Sequence, residues 1–121
     1  MKTPGTDHPI TVEPHRRRLR VQFNGRTVAD TQSALILREA SYPPVFYVPR
    51  ADADMALFER TAHSTRCPYK GQAAYYTLVV DGRRSENAVW SYEEPYEAVK
   101  AIAGHLAFYP DRVDAFGESD G

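Results

Sequence analysis

The sequence has little cysteine, no long apolar run and no surplus of one charge. A single cysteine in 121 residues excludes an intramolecular disulfide and every zinc or iron–sulfur site built from several cysteines. No apolar run approaches the roughly 18–20 residues that cross a bilayer, so no membrane segment is expected. Residues 1–13 also lack the apolar core of a signal peptide, and we therefore expect a cytoplasmic location.

The charge balance bears on the kind of partner. Fifteen basic and sixteen acidic side chains give a net charge of −1, which argues against a dedicated nucleic-acid binder. The one basic run, residues 15–20, is explained by Arg18 and Arg20 on the wet face of a strand. Contact of this run with RNA or phosphate is the alternative.

Prolines and acids divide the chain into three predicted segments. Pro4, Pro9 and Pro14 are expected to prevent a regular element in residues 1–15, which would form a tail or an extended arm laid on the body. Residues 16–116 have the length of one domain. Residues 117–121 are predicted to be a flexible acidic tail.

Alternation of apolar and polar residues predicts a mainly-β domain of about seven strands. Leu19, Val21 and Phe23 alternate with polar residues, and Asn24-Gly25 then predicts a tight hairpin. Further strands are predicted over residues 26–29, 34–39, 45–48, 73–80, 88–92 and 106–109. Both faces of residues 73–80 are apolar, which predicts a central strand. A short helical turn is expected near residues 51–55 and one helix over about 95–103, ended by Gly104. Residues 61–71 are interpreted as polar turns, and the charged residues 83–87 as part of a long hairpin loop.

The densest group of reactive side chains lies between His63 and Gly71. Lys70 follows Cys67 by three residues, and a nearby cation favours the thiolate form of a cysteine. His63 or Glu39 would then supply acid–base chemistry. The alternative is that Cys67 is a small buried apolar residue and Lys70 a solvated turn residue. No metal or cofactor is expected, because nothing in the spacing brings further ligands to His63 and Cys67.

Residues 65–76, read as TRCPYKGQAAYY, resemble the signature of the family called domain of unknown function 427. Residues 38–49, 88–92 and 107–111 resemble its other blocks in the same order. The resemblance implies a fold similar to the β-tent group, a single compact twisted sheet. It also carries a nucleotidyltransferase-like label, and it directs attention to these residues: Glu39, Tyr47, Cys67, Lys70, Gly71, Tyr75, Trp90 and Tyr92.

Three functions are compatible with the sequence. The first is a module that binds an unknown small polar metabolite, with Tyr47, Gly71, Tyr75, Trp90 and Tyr92 contacting the ligand and Lys70 holding it. The second is a small enzyme in which Cys67, Lys70, Glu39 and His63 are catalytic, or one with the nucleotidyltransferase-like activity of the family label. An interaction domain that uses the basic strand is a third. Whether a reaction is catalysed and whether the chain forms a homo-oligomer stay open.

Overall fold

A computed structural model describes residues 1–120 and confirms the mainly-β class. These residues form ten strands, joined by four short 3-10 helices. The strands are β1 (Ile10–Pro14), β2 (Arg18–Phe23), β3 (Arg26–Thr31), β4 (Leu35–Glu39), β5 (Val45–Tyr47), β6 (Phe58–Cys67), β7 (Gly71–Val80), β8 (Arg83–Ser91), β9 (Ala107–Phe108) and β10 (Ala115–Ser119). The 3-10 helices span Arg50–Asp52, Met55–Leu57, Glu97–Ile102 and Pro110–Arg112.

The strands form three antiparallel sheets rather than the single sheet of about seven strands that we expected. Their orders are β1-β4-β5, β10-β2-β3 and β6-β7-β8-β9. An isolated bridge between Val48 and Leu106 joins the strand ends of two of them. The number of sheets escaped prediction because local alternation shows which residues are extended but not which strands pair. The likeness to the β-tent group stays a prediction.

Strand β7 separates two apolar clusters, as its two apolar faces predicted. Tyr76, Leu78 and Val80 pack into the first cluster, which lies against β2 and β3. Ala73 and Tyr75 point the other way into the second cluster, with Leu37, Tyr47, Tyr92, Val99, Ile102 and Ala107. Successive strand residues face opposite sides of a sheet, so one strand supplies both cores.

Two hairpins turn on residues with positive φ. Asn24 and Gly25 have φ of 49° and 79°, which confirms the predicted tight turn. Asp81 and Gly82 repeat these values at 49° and 82°, so this hairpin is also tight and the expected long loop is wrong. Residues 83–87 belong to β8 instead, since charged side chains on a strand can face solvent and pair across it.

The polar segment 61–71 is mostly strand, which corrects its interpretation as turns. Residues up to Cys67 belong to β6, the outermost strand of its sheet. Most β6 side chains are exposed, so the strand lacks the apolar alternation by which strands are recognised. Its main chain pairs with β7 from Phe58 to Cys67, with an irregularity between Arg60 and Ser64.

Both predicted irregular ends contain strands. β1 lies within the supposed arm and pairs with β4, so the prolines do not prevent a regular element there. Pro14 is tolerated because β1 is at the edge of its sheet, where a missing N–H costs little. β10 pairs with β2 up to Ser119, so residues 117–119 are not a free tail. Of the rest of that predicted tail, Gly121 lies outside the described residues.

The helix expected over residues 95–103 is a 3-10 segment, Glu97–Ile102, with a break at Val99 (φ −125°). Its β-branched Val99 and Ile102 favour helix weakly, and both are buried as anchors in the second cluster. Gly104, with φ of 71°, ends the segment as predicted. Across residues 1–120, no helix has the length and apolar character needed to cross a membrane.

Candidate ligand pocket

A cavity of about 230 Å³ opens at the ends of β4, β5 and β8, beside β7. Its walls are mostly aromatic, and its polar wall is an ion pair between Lys70 and Glu39. The aromatic wall residues are Tyr42, Tyr47, Tyr75, Trp90, Tyr92 and Tyr109. We call this cavity the aromatic pocket.

Strand register brings these rings together. Tyr75 on β7 lies directly opposite Trp90 on β8. Tyr47 ends β5, and its ring meets the Trp90 ring edge to face with centroids 6.5 Å apart. Tyr109 follows β9 and tilts against Trp90 at 4.5 Å. Since sheets hold facing side chains at fixed positions, the pocket walls are preformed.

Three charged or titratable side chains meet beside the pocket: Lys70, Glu39 and His8. The Lys70 ammonium donates a hydrogen bond to Glu39 Oε1. His8 Nε2 donates to Glu39 Oε2 at 2.8 Å. Only 10% of the Lys70 side chain and 13% of the Glu39 side chain are exposed. Burial would raise the pKa of Glu39, but the hydrogen bonds from Lys70 and His8 outweigh it and hold that pKa below its ordinary value.

The buried tyrosines of the pocket are neutral hydrogen-bonding groups. Burial raises the pKa of Tyr47, although a hydrogen bond with the Trp90 indole partly offsets it. Burial also raises the pKa of Tyr92, and that of Tyr109 to about 12, where a hydrogen bond with Tyr75 adds to the effect. Each phenol therefore keeps its proton at neutral pH.

The turn after β6 positions Lys70. Gly71 has φ of 111°, a conformation that residues with a Cβ rarely adopt. The carbonyl of Lys70 accepts a hydrogen bond of 3.0 Å from the Tyr96 N–H, which ties this turn to the segment before the 3-10 helix. Gly71 itself is buried and is not a wall residue of the pocket. Its role is to let the chain turn Lys70 toward Glu39.

Six of the nine residues singled out from the sequence line the pocket. They are Glu39, Tyr47, Lys70, Tyr75, Trp90 and Tyr92. Cys67 does not line it: the thiol is half-buried and packs against the second apolar cluster. The ammonium of Lys70 is hydrogen-bonded to Glu39, not to Cys67.

His63 lies on β6, with its ring edge to face against Tyr75 at 4.5 Å. It borders a second, wider concavity of about 600 Å³ together with Arg60, Arg66 and Glu93. Arg60 donates to Glu93 at 2.8 Å and Arg66 to the Tyr96 hydroxyl at 3.0 Å. These exposed charges are already paired or solvated, so the aromatic pocket is the better candidate site although it is smaller.

Three site residues were missed: His8, Tyr42 and Tyr109. Tyr42 and Tyr109 stand in the blocks that resemble the family, and that position was a usable signal. Nothing in the spacing of His8 predicted its role, since it reaches Glu39 across 31 residues of chain. Its ring also stacks on Tyr69, with centroids 3.8 Å apart and planes within 7°. Among the residues that the structure describes, no group of three or more His, Cys, Asp or Glu side chains is placed to hold a metal ion.

Fold and site together define a mainly-β protein with a preformed aromatic pocket closed on one side by a buried ion pair. The chain belongs to the family described as a domain of unknown function, DUF427, whose model, named NTP_transf_9, matches residues 11–119. This match confirms the family resemblance, and it includes nearly all of β1 and all of β10. No curated protein matches the chain.

Proposed function

We propose that the aromatic pocket reversibly binds a small polar metabolite. The observation that carries this proposal is the buried Lys70–Glu39 pair within a cavity walled by six aromatic rings. Ligand pockets combine apolar walls with a few placed polar groups in this way. A volume of about 230 Å³ suits a compact molecule of one ring or a short chain.

Hydrogen-bonding capacity left in the pocket supports ligand binding. The Tyr92 hydroxyl forms no hydrogen bond with any other group in residues 1–120, although only 6% of the residue is exposed. The Tyr75 hydroxyl is bonded to Thr65 Oγ1 at 2.9 Å and lies 3.5 Å from that of Tyr109. Tyr75 is therefore already paired, whereas the Tyr92 hydroxyl needs water or a ligand as a partner.

The alternative of a thiol enzyme has weaker support. Cys67 packs outside the pocket walls, and the cation expected to activate it is engaged by Glu39. The name of the family model refers to nucleotidyl transfer, but within residues 1–120 no group of three or more His, Cys, Asp or Glu side chains is placed to hold a metal ion for such a reaction. We therefore propose binding rather than either reaction at the pocket.

Trp90 is the one tryptophan of the chain, so its indole N–H gives a single resolved NMR signal inside the pocket. We expect some members of a library of one-ring polar compounds, each at about 1 mM, to shift this signal. Lys70→Gln should weaken the binding, whereas Lys100→Gln, a change at an exposed lysine, should leave it unchanged. Cys67→Ser should also preserve it.

The proposal fails if no compound of the library moves the Trp90 signal. It also fails if the binding that is found disappears in Cys67→Ser but survives in Lys70→Gln, because the thiol would then be the essential group.

A further inference from the structure

The Lys70 ammonium has donors to spare at the pocket. An ammonium carries three N–H groups, and within residues 1–120 its hydrogen-bond partner is Glu39. The nitrogen also lies 5.9 Å from the centre of the Tyr92 ring. Lys70 is 8% exposed and is itself a wall residue, so a group bound in the cavity lies next to this side chain. With the Tyr92 hydroxyl, this makes one end of the pocket rich in donors, which suits a ligand group rich in acceptor oxygens.

The charge balance beside the pocket depends on His8. With a neutral imidazole, Lys70 and Glu39 cancel and the cluster has no net charge. A carboxylate bound to Lys70 would then leave one uncompensated negative charge in a largely buried place, which is costly. A proton on His8 removes this imbalance, since two cations then face two carboxylates.

We propose that the ligand of the aromatic pocket is a small planar carboxylate, which binds on Lys70 together with a proton on His8. This inference rests on the function proposed above and names the chemical class of its ligand. The carboxylate accepts hydrogen bonds from Lys70 and Tyr92, its ring contacts the aromatic walls, and His8 is a positioning residue that acts through Glu39.

His8 is surrounded by one carboxylate, two aromatic rings and a lysine. Glu39, at the end of β4, is the carboxylate that its Nε2 meets, and Lys70 contacts that carboxylate from the other side. From the turn after β6, the Tyr69 ring stacks on the imidazole, and the Tyr42 ring meets it edge to face at 6.4 Å. The Lys2 ammonium lies 5.9 Å from the centre of the Tyr69 ring. One carboxylate and two cations therefore lie close to His8, so the charge of this cluster changes when an anion binds on Lys70.

Benzoate, benzamide and benzylamine form a matched set of probes that differ in the charge of one group. Their binding is followed by the Trp90 indole signal at about pH 5.5 and about pH 8, on either side of the usual range of histidine titration. We expect benzoate to bind about tenfold more tightly at the lower pH, a coupling of the usual size between two sites. Benzamide should bind with the same affinity at both pH values, and benzylamine should bind more weakly than the other two probes.

Variants separate the two parts of the proposal. His8→Gln keeps a donor to Glu39 but cannot titrate, so the pH dependence of benzoate binding should disappear. His15→Gln is the control, since His15 forms a similar pair with Glu118 away from the pocket and should leave the pH dependence intact. Tyr92→Phe leaves the Lys70–Glu39 ion pair in place and should weaken the binding of benzoate more than that of benzylamine. It thus tests the ligand class without the risk that a Lys70 variant unfolds.

Three outcomes overturn the inference: benzylamine binds most tightly, benzoate binds equally at both pH values, or none of the three probes binds. If other one-ring compounds still shift the Trp90 signal, the pocket is a binding site of another ligand class and the proposed function stands. If no compound does so, both proposals fail.

Discussion

Replacing Glu39 with glutamine removes the charge that neutralises the Lys70 ammonium and keeps the side chain's size. The two side chains are only 13% and 10% exposed, so little water reaches the remaining ammonium. Removing one partner of a buried ion pair costs about 3–5 kcal/mol. Because the pocket admits some water, we expect the lower end, about 3 kcal/mol. For a domain of this size that loss lowers Tm by about 12 °C.

The free energy of unfolding is measured by urea titration at neutral pH, with circular dichroism and Trp90 fluorescence as two independent probes. Two control variants test whether the loss of stability in Glu39→Gln comes from the unpaired buried ammonium. Glu97→Gln removes a carboxylate from an exposed pair with Lys100, in which 84% and 73% of the two side chains face solvent, and should cost less than about 1 kcal/mol. The double variant Glu39→Gln/Lys70→Met removes both buried charges and should recover most of the stability.

The reasoning is refuted if Glu39→Gln is no more harmful than Glu97→Gln. It is also refuted if the double variant is as unstable as Glu39→Gln alone, because the loss would then come from packing and not from an unpaired ammonium.

Three further predictions concern stability. Gly71→Ala should lower the free energy of unfolding in urea by about 1–3 kcal/mol, since φ of 111° strains a residue with a Cβ. The control Gly117→Ala, at an open position without positive φ, should leave it nearly unchanged. Equal effects of the two variants would contradict the role of the turn. Arg50→Met should lower the unfolding free energy by about 2 kcal/mol, because the guanidinium donates to the Gly104 carbonyl and the Tyr76 hydroxyl, both at 3.1 Å; an unchanged Tm would show that water replaces these bonds. Burial opposes ionisation of Glu39 and of Glu93, but hydrogen bonds to both carboxylates hold their pKa values below the ordinary value. Their contribution to stability is therefore complete above the unfolded-state pKa of about 4.3 and is lost as the pH falls below it. Urea midpoints measured from about pH 6 to pH 3 should decrease, and a flat profile would contradict this.

The strands with strong local signals were predictable. β2 and the Asn24-Gly25 turn follow from apolar alternation and from two residues that tolerate positive φ. The apolar run of β7 predicted a central strand with two buried faces, and the structure places its alternate residues in two clusters. In these elements the local sequence and the tertiary environment favour the same conformation.

Three edge strands, β1, β6 and β10, were not predicted in this way. β6 and β10 carry mostly exposed or polar side chains, so no period of two marks them. β1 alternates over only four residues, Ile10 to Glu13, between two prolines that are typical of irregular chain. All three are strands because their main chains pair with β4, β7 and β2. The 3-10 segment Glu97–Ile102 was predicted as a helix because residues 93–95, two glutamates and a proline, are helix-start signals. Such signals indicate where a helix begins but not whether it is an α-helix or a 3-10 helix.

By itself the sequence determined the mainly-β class, the family and most of the aromatic walls, because alternation and the spacing within motifs are local properties of the chain. Only the tertiary structure decided which charges meet. Lys70 lies three residues from Cys67, yet its ammonium bonds to Glu39, and His8 bonds to the same carboxylate; each partner is 31 residues from Glu39 along the chain. Contacts over such separations depend on how whole sheets pack, and burial then makes the pairing of opposite charges obligatory. That packing makes an ion pair, rather than an activated thiol, the polar centre of the pocket.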